Sequence, residues 1–391
     1  MRMVELVRQG RSMHTVARQF HISSATVWRW VQRASGKRLD RAVLANLKSG
    51  RAWNRTTSEL ERHILQVRQQ LRETSVLGEY GACAIEAALQ SENAGAPSLA
   101  TINRVLARHG VLDGHRRVRR PAPPRGWYLP PVAAGRAELD SFDWIEDLKI
   151  AGGPLVQVLT GVALWASQAD AWPEPSRLTD TVLSRLTGRW QQLGLPHYVQ
   201  FDNEAVFQGA HHVTDTVGQV SRLCLALGIT PVFAPPREHG FQNAIEGFNA
   251  LWQAKVWQRY HFEDYAQLLA VSARYIDAHR ARSAARREHA PGRRPFPKPF
   301  KFHPNMSLSG TLIFLRRTNE AGQAHLLGRS FPVAELWTHR LVRAEVNLDA
   351  HHIRFYALRR KDPADQPLLK EVPYHREHKP FRGKPWVFRE R

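Results

Sequence analysis

The stretch QFDNEAVFQGA, residues 200–210, ends an apolar run with an acid, Asp202. An apolar run of this kind that closes in Asp-Asn predicts a buried strand followed by a turn. Many α/β enzymes place their chemistry where strands end. Asp202 is therefore open to two interpretations: a turn former after a strand, or one ligand of a metal site.

The sequence around this stretch, residues 137–278, alternates between strand-like and helix-like patterns. Three apolar strand patterns come first, and a helix, a strand, a helix, a short strand and a long helix follow. The strand that ends at Asp202 is the fourth strand of this series. The order predicts a mixed sheet covered by helices.

Two further acids fit the same site. Acidic residues are scarce in this chain, which has a formal net charge of +21. Asp140 lies in the first strand pattern, and Glu246 lies in the first turn of the long helix NAIEGFNALW. On one sheet and an adjacent helix, Asp140, Asp202 and Glu246 are expected to converge at the sheet edge.

The first of these positions has a rival three residues along the chain. Asp140 and Asp143 both belong to the acidic stretch ELDSFDWIED, and side chains on a strand alternate between faces. On a regular strand only one of the two can therefore face the site. We favour Asp140, because it comes early in the strand, before the aromatic Phe142 and Trp144.

Three converging carboxylates suit the cleavage of phosphodiesters. Two divalent cations held by carboxylates activate the attacking oxygen and stabilise the leaving oxygen. Mg²⁺ prefers carboxylate oxygens and keeps positions open for substrate phosphate. Without a cation, the mutual repulsion of the three acids would be unfavourable. The pattern thus favours a metal site over three unrelated surface acids.

The charge of the whole chain indicates a polyanionic partner. There are 56 Lys and Arg residues against 35 Asp and Glu, and neutralised phosphates release counterions. The two cysteines, Cys83 and Cys224, are far apart and fit a reducing cytoplasm rather than a disulfide framework. We find no apolar leader and no run long enough to span a membrane. A cytoplasmic DNA-binding protein is expected.

Two helical segments are candidate DNA readers. Residues 1–36 predict a helix-turn-helix with Ser23 as the cap of its second helix, which carries Arg29 and Arg33 toward DNA. Residues 50–114 predict a second unit of the same kind. Its last helix leaves Arg104 and Arg108 available for phosphate.

The remaining basic residues lie in linkers and on the long helix. The linker 115–136 is rich in proline and arginine, and Arg119 and Arg120 in it are expected to follow a phosphate backbone. Lys255 and Arg259 share one face of the long helix and could grip DNA beside the cut. Residues 304–391 contain strand patterns with turns and predict a small antiparallel β-barrel.

The motifs ELD, FDN and QNAIEGFNALWQ resemble the catalytic core of DDE transposases of bacterial insertion sequences and of retroviral integrases. The spacing is also similar, with 61 residues between Asp140 and Asp202 and 43 between Asp202 and Glu246. Two departures concern the loop and helix: Glu204 stands where many relatives carry glycine, and Ala244 stands where a glycine is frequent.

The resemblance implies a multidomain protein. Helix-turn-helix units would precede a central α/β RNase H-like core at 137–280, and a C-terminal small β-barrel at 304–391 would follow. It further implies Mg²⁺ or Mn²⁺ as cofactor, two ions per active site, held by Asp140, Asp202 and Glu246. The family acts on double-stranded DNA, both element ends and target, as a homo-oligomer that is at least a dimer.

The predicted function is that of a DNA transposase that binds element ends and catalyses metal-dependent strand cleavage and strand transfer. Two alternatives stay open: a non-catalytic DNA-binding regulator of transposition, and an RNase H-like nuclease without a joining step.

Overall fold

The computed structural model describes residues 2–36, 38–39, 56–92, 96–112, 124–151, 153–210, 213–238, 240–377, 381, 384–386 and 388. The chain divides into two compact units, Met1–Leu65 and Gln66–Arg391. In the described part of the chain, none of the helices combines the length and the apolar character needed to cross a bilayer.

The N-terminal unit begins with three short helices, α1 Arg2–Arg8, α2 Met13–Gln19 and α3 Ser24–Ala34. Ser12 and Ser23 cap α2 and α3, each accepting a hydrogen bond from a backbone N–H three residues later. Val16 and Val27 are fully buried between the helices. The predicted cap at Ser23 is confirmed, and the three helices close around one small apolar core.

A second group of helices follows: α4 Ser58–Thr74, α5 Ala82–Ser91 and α6 Leu99–Arg108. Ser98 caps α6, and Ile102, Val105 and Leu106 form its buried face. The helix stops before Gly110, whose φ of +67° suits glycine. The helices are as expected, but the structure does not test whether they bind DNA as a second helix-turn-helix.

A nine-stranded mixed sheet organises the larger unit. The described residues of this unit form eleven strands, nine of them in this sheet: β1 Leu139–Lys149, β2 Leu155–Ala163, β3 Ala169–Glu174, β4 Tyr198–Phe201, β5 Thr230–Phe233, β6 Thr311–Arg317, β7 Gln323–Leu326, β8 Arg329–Pro332, β9 Leu341–Asn347, β10 His352–Ala357 and β11 Leu368–Pro373. Their order in the sheet is β11-β10-β9-β6-β5-β4-β1-β2-β3, and β7 and β8 form a separate hairpin. β4 pairs in parallel with both β1 and β5.

Helices cover both faces of this sheet. They are α7 Pro130–Ala133, α8 Thr179–Leu193, α9 Ala205–Gln208, α10 Gln219–Ala226, α11 Asn243–Trp252, α12 Tyr265–Arg282 and α13 Ala284–Glu288, with a π-helical turn at Gln253–Trp257 after α11. α8 and α10 pack on one face, and α11 and α12 pack on the other. The predicted α/β core is confirmed, and α12 is an additional helix that the sequence patterns did not indicate.

The expected C-terminal β-barrel is not confirmed. β6 pairs in parallel with β5, so the C-terminal strands extend the core sheet. A row of stacked rings crosses this junction on one face. Phe233 and Phe314, on β5 and β6, have ring centroids 5.0 Å apart, and Phe201 of β4 lies 6.3 Å from Phe233. Burying this row removes apolar surface from water across the junction.

Close packing of β1 against β2 depends on one glycine. Gly161 pairs with Phe142 across the two strands. A Cβ atom at position 161 would lie 2.6 Å from the ring of Phe142. The absence of a side chain at Gly161 therefore makes room for the aromatic ring, which is fully buried. Phe142 lies on the face opposite to that of its neighbours Ser141 and Asp143.

Candidate active site

Asp140, the favoured first acid, lies on the α8 face of β1. Its side chain is 0% exposed. Arg189 Nε of α8 lies 3.2 Å from its Oδ2, and Arg293 forms a second ion pair with the same carboxylate. Burial would raise the pKa of Asp140, but the two guanidinium groups outweigh it and lower that pKa to about 2. Asp140 is therefore charged at neutral pH and pairs with two arginines.

These contacts belong to a buried ionic network that joins four elements. Arg189 also pairs with Asp170 of β3, and Arg280 of α12 pairs with the same aspartate. Arg293 comes from the segment that follows α13. With both carboxylates neutralised, the network fixes β1 to β3, α8 and α12. The expectation that Asp140 joins Asp202 and Glu246 is thus not supported by the structure.

Asp143, the rival position, lies on the opposite face of β1, toward α11. Its Oδ2 accepts a hydrogen bond from Asn249 Nδ2 at 2.8 Å. Asn249 Oδ1 in turn accepts a hydrogen bond from Thr160 Oγ1 of β2 at 2.7 Å. Asn249 follows Glu246 by three residues on α11, so the two side chains share one side of that helix. These bonds orient the Asp143 carboxylate from two neighbouring elements.

The pKa of Asp143 is affected by the charges of two other predicted acids. Burial is the largest cause that raises the pKa of Asp143, and the negative charges of Asp202 and Glu246 raise it further, to about 7. Asp143 and Asp202 are half-buried, and Glu246 is exposed. The structure therefore brings Asp202 and Glu246 within electrostatic range of Asp143, and all three carboxylates are at least partly exposed to solvent.

Asp202 directly follows β4, in a turn with defined hydrogen bonds. Its Oδ1 accepts the backbone N–H of Glu204 at 3.0 Å, so Asp202 does form the turn after the strand. Asn203 Nδ2 donates to the carbonyl oxygen of Ala234 at 2.6 Å. The Asp-Asn pair thereby connects the end of β4 to the end of β5.

A buried arginine of β6 holds this turn from the other side. Arg316 Nη2 donates to Asn203 Oδ1 at 2.8 Å, and its Nη1 donates to the carbonyl of Ala234 at 3.3 Å. Its Nε donates to the carbonyl of His325 at 3.1 Å. Burial lowers the pKa of Arg316 to about 9. Sequence patterns did not identify this residue, because a single arginine in an apolar strand gives no positional signal.

Two more acids and an arginine lie at the rim of the site. Arg177 forms ion pairs with Glu146 and Glu204. Burial raises the pKa of Glu204 to about 7, with the charge of Asp202 as the second cause. The position where many relatives carry glycine thus adds a further carboxylate to the site, and Arg177 partly neutralises it.

The residue types of the site fit a hard divalent cation, since all three central donors are carboxylates. Among the described residues, however, no group of three or more His, Cys, Asp or Glu side chains is arranged so that it could hold a metal ion. A cation would relieve the repulsion that raises the pKa of Asp143. The argument for a cation therefore rests on the three carboxylate donors and on the repulsion between them.

Four of the arginines predicted to bind DNA lie on two helices of the N-terminal half, and two more lie outside the described residues. Arg29 and Arg33 lie on α3, where Arg29 Nη2 donates to Thr26 Oγ1 at 3.3 Å and Arg33 stacks over the ring of Trp30 at 4.9 Å. Arg104 and Arg108 lie on α6. Arg119 and Arg120 lie outside the described residues.

Lys255 and Arg259 bind within the protein. Lys255 Nζ donates to the carbonyl of Gly78 at 3.1 Å, and Arg259 Nη1 donates to the carbonyl of Ser75 at 2.7 Å. Both acceptors follow the end of α4, where carbonyl groups lack helical partners. The expectation that these side chains grip DNA is not supported, because their donors hold the loop after α4 against the core.

Comparisons with known structures give distant likenesses. A chain of the simian T-cell lymphotropic virus intasome in complex with PP2A regulatory subunit B56 gamma is 13% identical, over 66% of this chain and 84% of that one, with a TM-score of 0.33. The HTLV-2 integrase catalytic core domain in complex with magnesium, in its dimeric form, is 13% identical over 42% of this chain and 86% of that one, with a TM-score of 0.25. Likenesses at these scores are too weak to carry the assignment of the site.

The comparison with protein families gives one match, to the N-terminal unit. Residues 1–43 match a helix-turn-helix family model described as a homeodomain-like domain. The match includes the three helices α1 to α3 and the two serine caps between them. The N-terminal segment of this chain is therefore similar to homeodomain-like helix-turn-helix domains.

Proposed function

We propose that this protein is a DNA transposase of the DDE type, with Asp143, Asp202 and Glu246 as its catalytic carboxylates. The observation that carries the proposal is the position of Asp143, in the middle of β1, within electrostatic range of Asp202 after β4 and of Glu246 at the start of α11. Asp143 replaces Asp140, whose carboxylate is occupied by two arginines. The replacement shortens the first spacing by three residues and leaves the second unchanged.

The three carboxylates would hold Mg²⁺ or Mn²⁺, two ions per site. The bound cations would supply electrostatic stabilisation of the attacking and leaving oxygens during in-line displacement at phosphorus. The residues of this chain provide the rigidity that such a site needs. Asn249 orients Asp143, and the hydrogen bond from Arg316 to Asn203 keeps the turn after Asp202 in place.

The rest of the chain supports DNA as the substrate. A homeodomain-like unit is typical of sequence-specific DNA readers, whose recognition helix enters the major groove. In this chain that helix is α3, and its residue Trp28 is 51% exposed beside Arg29. The net charge of +21 supports phosphate binding over a wider surface. We propose that the unit binds element ends and that the active assembly is at least a dimer on DNA.

Both alternatives can be separated from the transposase in one experiment. The purified chain is incubated with DNA that carries the element end, with Mg²⁺ or with a chelator, and with a second DNA as target. A transposase nicks at the end and joins the freed 3′-hydroxyl to the target. A nuclease nicks without joining, and a regulator binds without nicking.

The variant Asp202→Asn makes this experiment specific to the site. Asparagine keeps the size of the side chain but removes the charge that a cation needs. The expected result is a loss of nicking and joining by several orders of magnitude, with DNA binding retained. Near-normal nicking by Asp202→Asn would refute the proposed site.

A further inference from the structure

A cavity of about 550 Å³ opens on the larger unit, beside the π-helical turn that follows α11. Its wall includes Arg68 of α4, Lys255 of the π-helical turn and Arg282 of α12. Lys255 follows Glu246 by nine residues, a rise of roughly 13 Å along a helix. The cavity is therefore separate from the candidate active site, and its lining residues have no role in the proposed reaction.

The half-buried Arg68 is held by neutral partners. Its Nη1 donates to the carbonyl of Tyr80 at 2.8 Å, and its Nη2 donates to the carbonyl of Val111 at 2.7 Å. Its guanidinium carbon lies 4.9 Å from the centroid of the Tyr80 ring. These contacts fix the orientation of the side chain, but they do not neutralise its charge. A guanidinium group has five N–H donors, so Arg68 keeps donors for a ligand.

Lys255 has the same kind of partner. Its Nζ donates to the carbonyl of Gly78 at 3.1 Å, and an ammonium group has three N–H donors in all. Lys255 is half-buried, like Arg68. A cation attracts an anion more strongly at such a position than in bulk water, because the effective dielectric constant is lower. Lys255 and Arg68 can therefore attract an anion that enters the cavity.

The third cation, Arg282, pairs with Glu79, the single acid among the described residues of the wall. Its Nη2 lies 3.4 Å from Oε2 of Glu79, and the two side chains are 46% and 44% exposed. An ion pair as exposed as this one is weak and can exchange for a ligand. With three cations and one acid, the wall carries an excess of positive charge. The wall thus favours an anion with several acceptor oxygens.

We propose that this cavity binds a phosphate group, carried either by a DNA strand or by a small phosphate compound. A phosphate presents several oxygens to donors that come from different directions, and charge-assisted hydrogen bonds are stronger than neutral ones. The volume is within the range of about 300–1,000 Å³ that is usual for small-molecule sites. A DNA strand is the second source, because Asn103 in the wall is exposed on α6 beside Arg104. The inference concerns binding away from the carboxylates and does not depend on the proposed reaction.

Cys83 provides a reporter in the wall of the cavity. It is exposed, whereas the second cysteine of the chain, Cys224, is buried. Alkylation of the intact, folded chain by uncharged iodoacetamide therefore reports on access to the cavity. The rate of Cys83 alkylation is measured by mass spectrometry in the presence of a chelator. One series contains inorganic phosphate, and the other contains a short duplex of random sequence.

The test variant is Arg282→Gln, which removes one cation from the wall. The matched control is Arg274→Gln on the same helix, an exposed position that does not line the cavity. Equal urea unfolding midpoints show that both variants are folded. At ten times its dissociation constant, a ligand should slow alkylation about tenfold in the unmodified protein and in Arg274→Gln. In Arg282→Gln the slowing should be only about twofold, because loss of one charged hydrogen bond weakens binding about tenfold.

The two series distinguish the sources of the phosphate. Slowing by inorganic phosphate identifies a small phosphate compound as a ligand, and slowing by the duplex alone identifies backbone phosphates. An alkylation rate that neither addition changes would overturn the proposal. Equal slowing in Arg282→Gln and Arg274→Gln would overturn it too, because the ligand would then cover Cys83 from outside the cavity. A chain that passes this test but never nicks DNA would support the phosphate site and refute the transposase.

Discussion

Asn249 of α11 donates a hydrogen bond from Nδ2 to Oδ2 of Asp143 on β1 at 2.8 Å. This bond connects the helix that carries Glu246 to the strand that carries Asp143. Because Thr160 holds the other end of the amide at 2.7 Å, the orientation of Asn249 is itself fixed. The relative position of two proposed catalytic acids thus depends on one buried side chain.

Replacing Asn249 with alanine should weaken catalysis more than DNA binding. The variant leaves Asp143 without its orienting donor, and loss of such supporting groups typically costs about 10–100-fold in activity or metal affinity. The measurement is the Mg²⁺ dependence of nicking, with the exposed Gln191→Ala on α8 as control. An Asn249→Ala protein that nicks as fast as the control, at equal Mg²⁺, would show that Asp143 needs no support.

Replacing Arg316 with lysine should destabilise the protein by about 2–4 kcal/mol, because an ammonium group cannot make the same divergent set of hydrogen bonds in a buried site. The control is Arg317→Lys on the same strand, whose ion pair with Glu238 is largely exposed and contributes about 0–1 kcal/mol. The free energy of unfolding of both variants is measured by urea denaturation. Equal unfolding midpoints for the two variants would contradict a structural role for Arg316.

The free energy of unfolding of the larger unit should decrease at low pH because of Asp140. Its folded-state pKa of about 2 is below the ordinary value of 3.8. A lowered carboxyl pKa contributes stability above the unfolded pKa and loses it as pH falls through the folded pKa. The contribution is about 2 kcal/mol, lost between about pH 4 and pH 2. Urea unfolding over this range should show a weaker acid dependence in Asp140→Asn, and an unchanged dependence would contradict the ion pairs.

Arg29 should contribute to recognition of the element end. It lies on α3 beside the exposed Trp28, and a base-reading arginine contributes about 1–3 kcal/mol of discrimination. The measurement is the affinity of Arg29→Ala and of the unmodified protein for the cognate end and for random DNA. Loss only at the cognate end identifies a base contact, whereas an equal loss on both DNAs identifies a phosphate contact and contradicts the prediction.

Much of the α/β core could be predicted from the sequence. The apolar runs of β1, β2, β4 and β5 and the helix with Glu246 were each indicated by their own residues. α12 was missed, because it joins the basic segment after it without a break in composition. The pairing of β6 with β5 could not be predicted either, because about eighty residues separate them and strand patterns do not specify distant partners.

The sequence pattern alone could not decide between Asp140 and Asp143. β1 is buried on both faces, so its apolar residues do not alternate with polar ones in a way that marks the inner face. Only the partners distinguish the two acids. Arg189 and Arg293 are distant in sequence, and so are Asp202 and Asn249. The acid with arginine partners is structural, and the acid with acidic neighbours is the proposed catalytic one.

The central claim is tested most directly by comparing Asp143→Asn with Asp140→Asn in the Mg²⁺-dependent nicking of element-end DNA. Both are assayed at a temperature where unfolding curves show each to be folded. The account predicts that Asp143→Asn lowers nicking by several orders of magnitude while retaining DNA binding. Asp140→Asn should lower stability and keep most of its nicking activity per folded molecule. Loss of nicking in folded Asp140→Asn together with substantial nicking by Asp143→Asn would contradict the account.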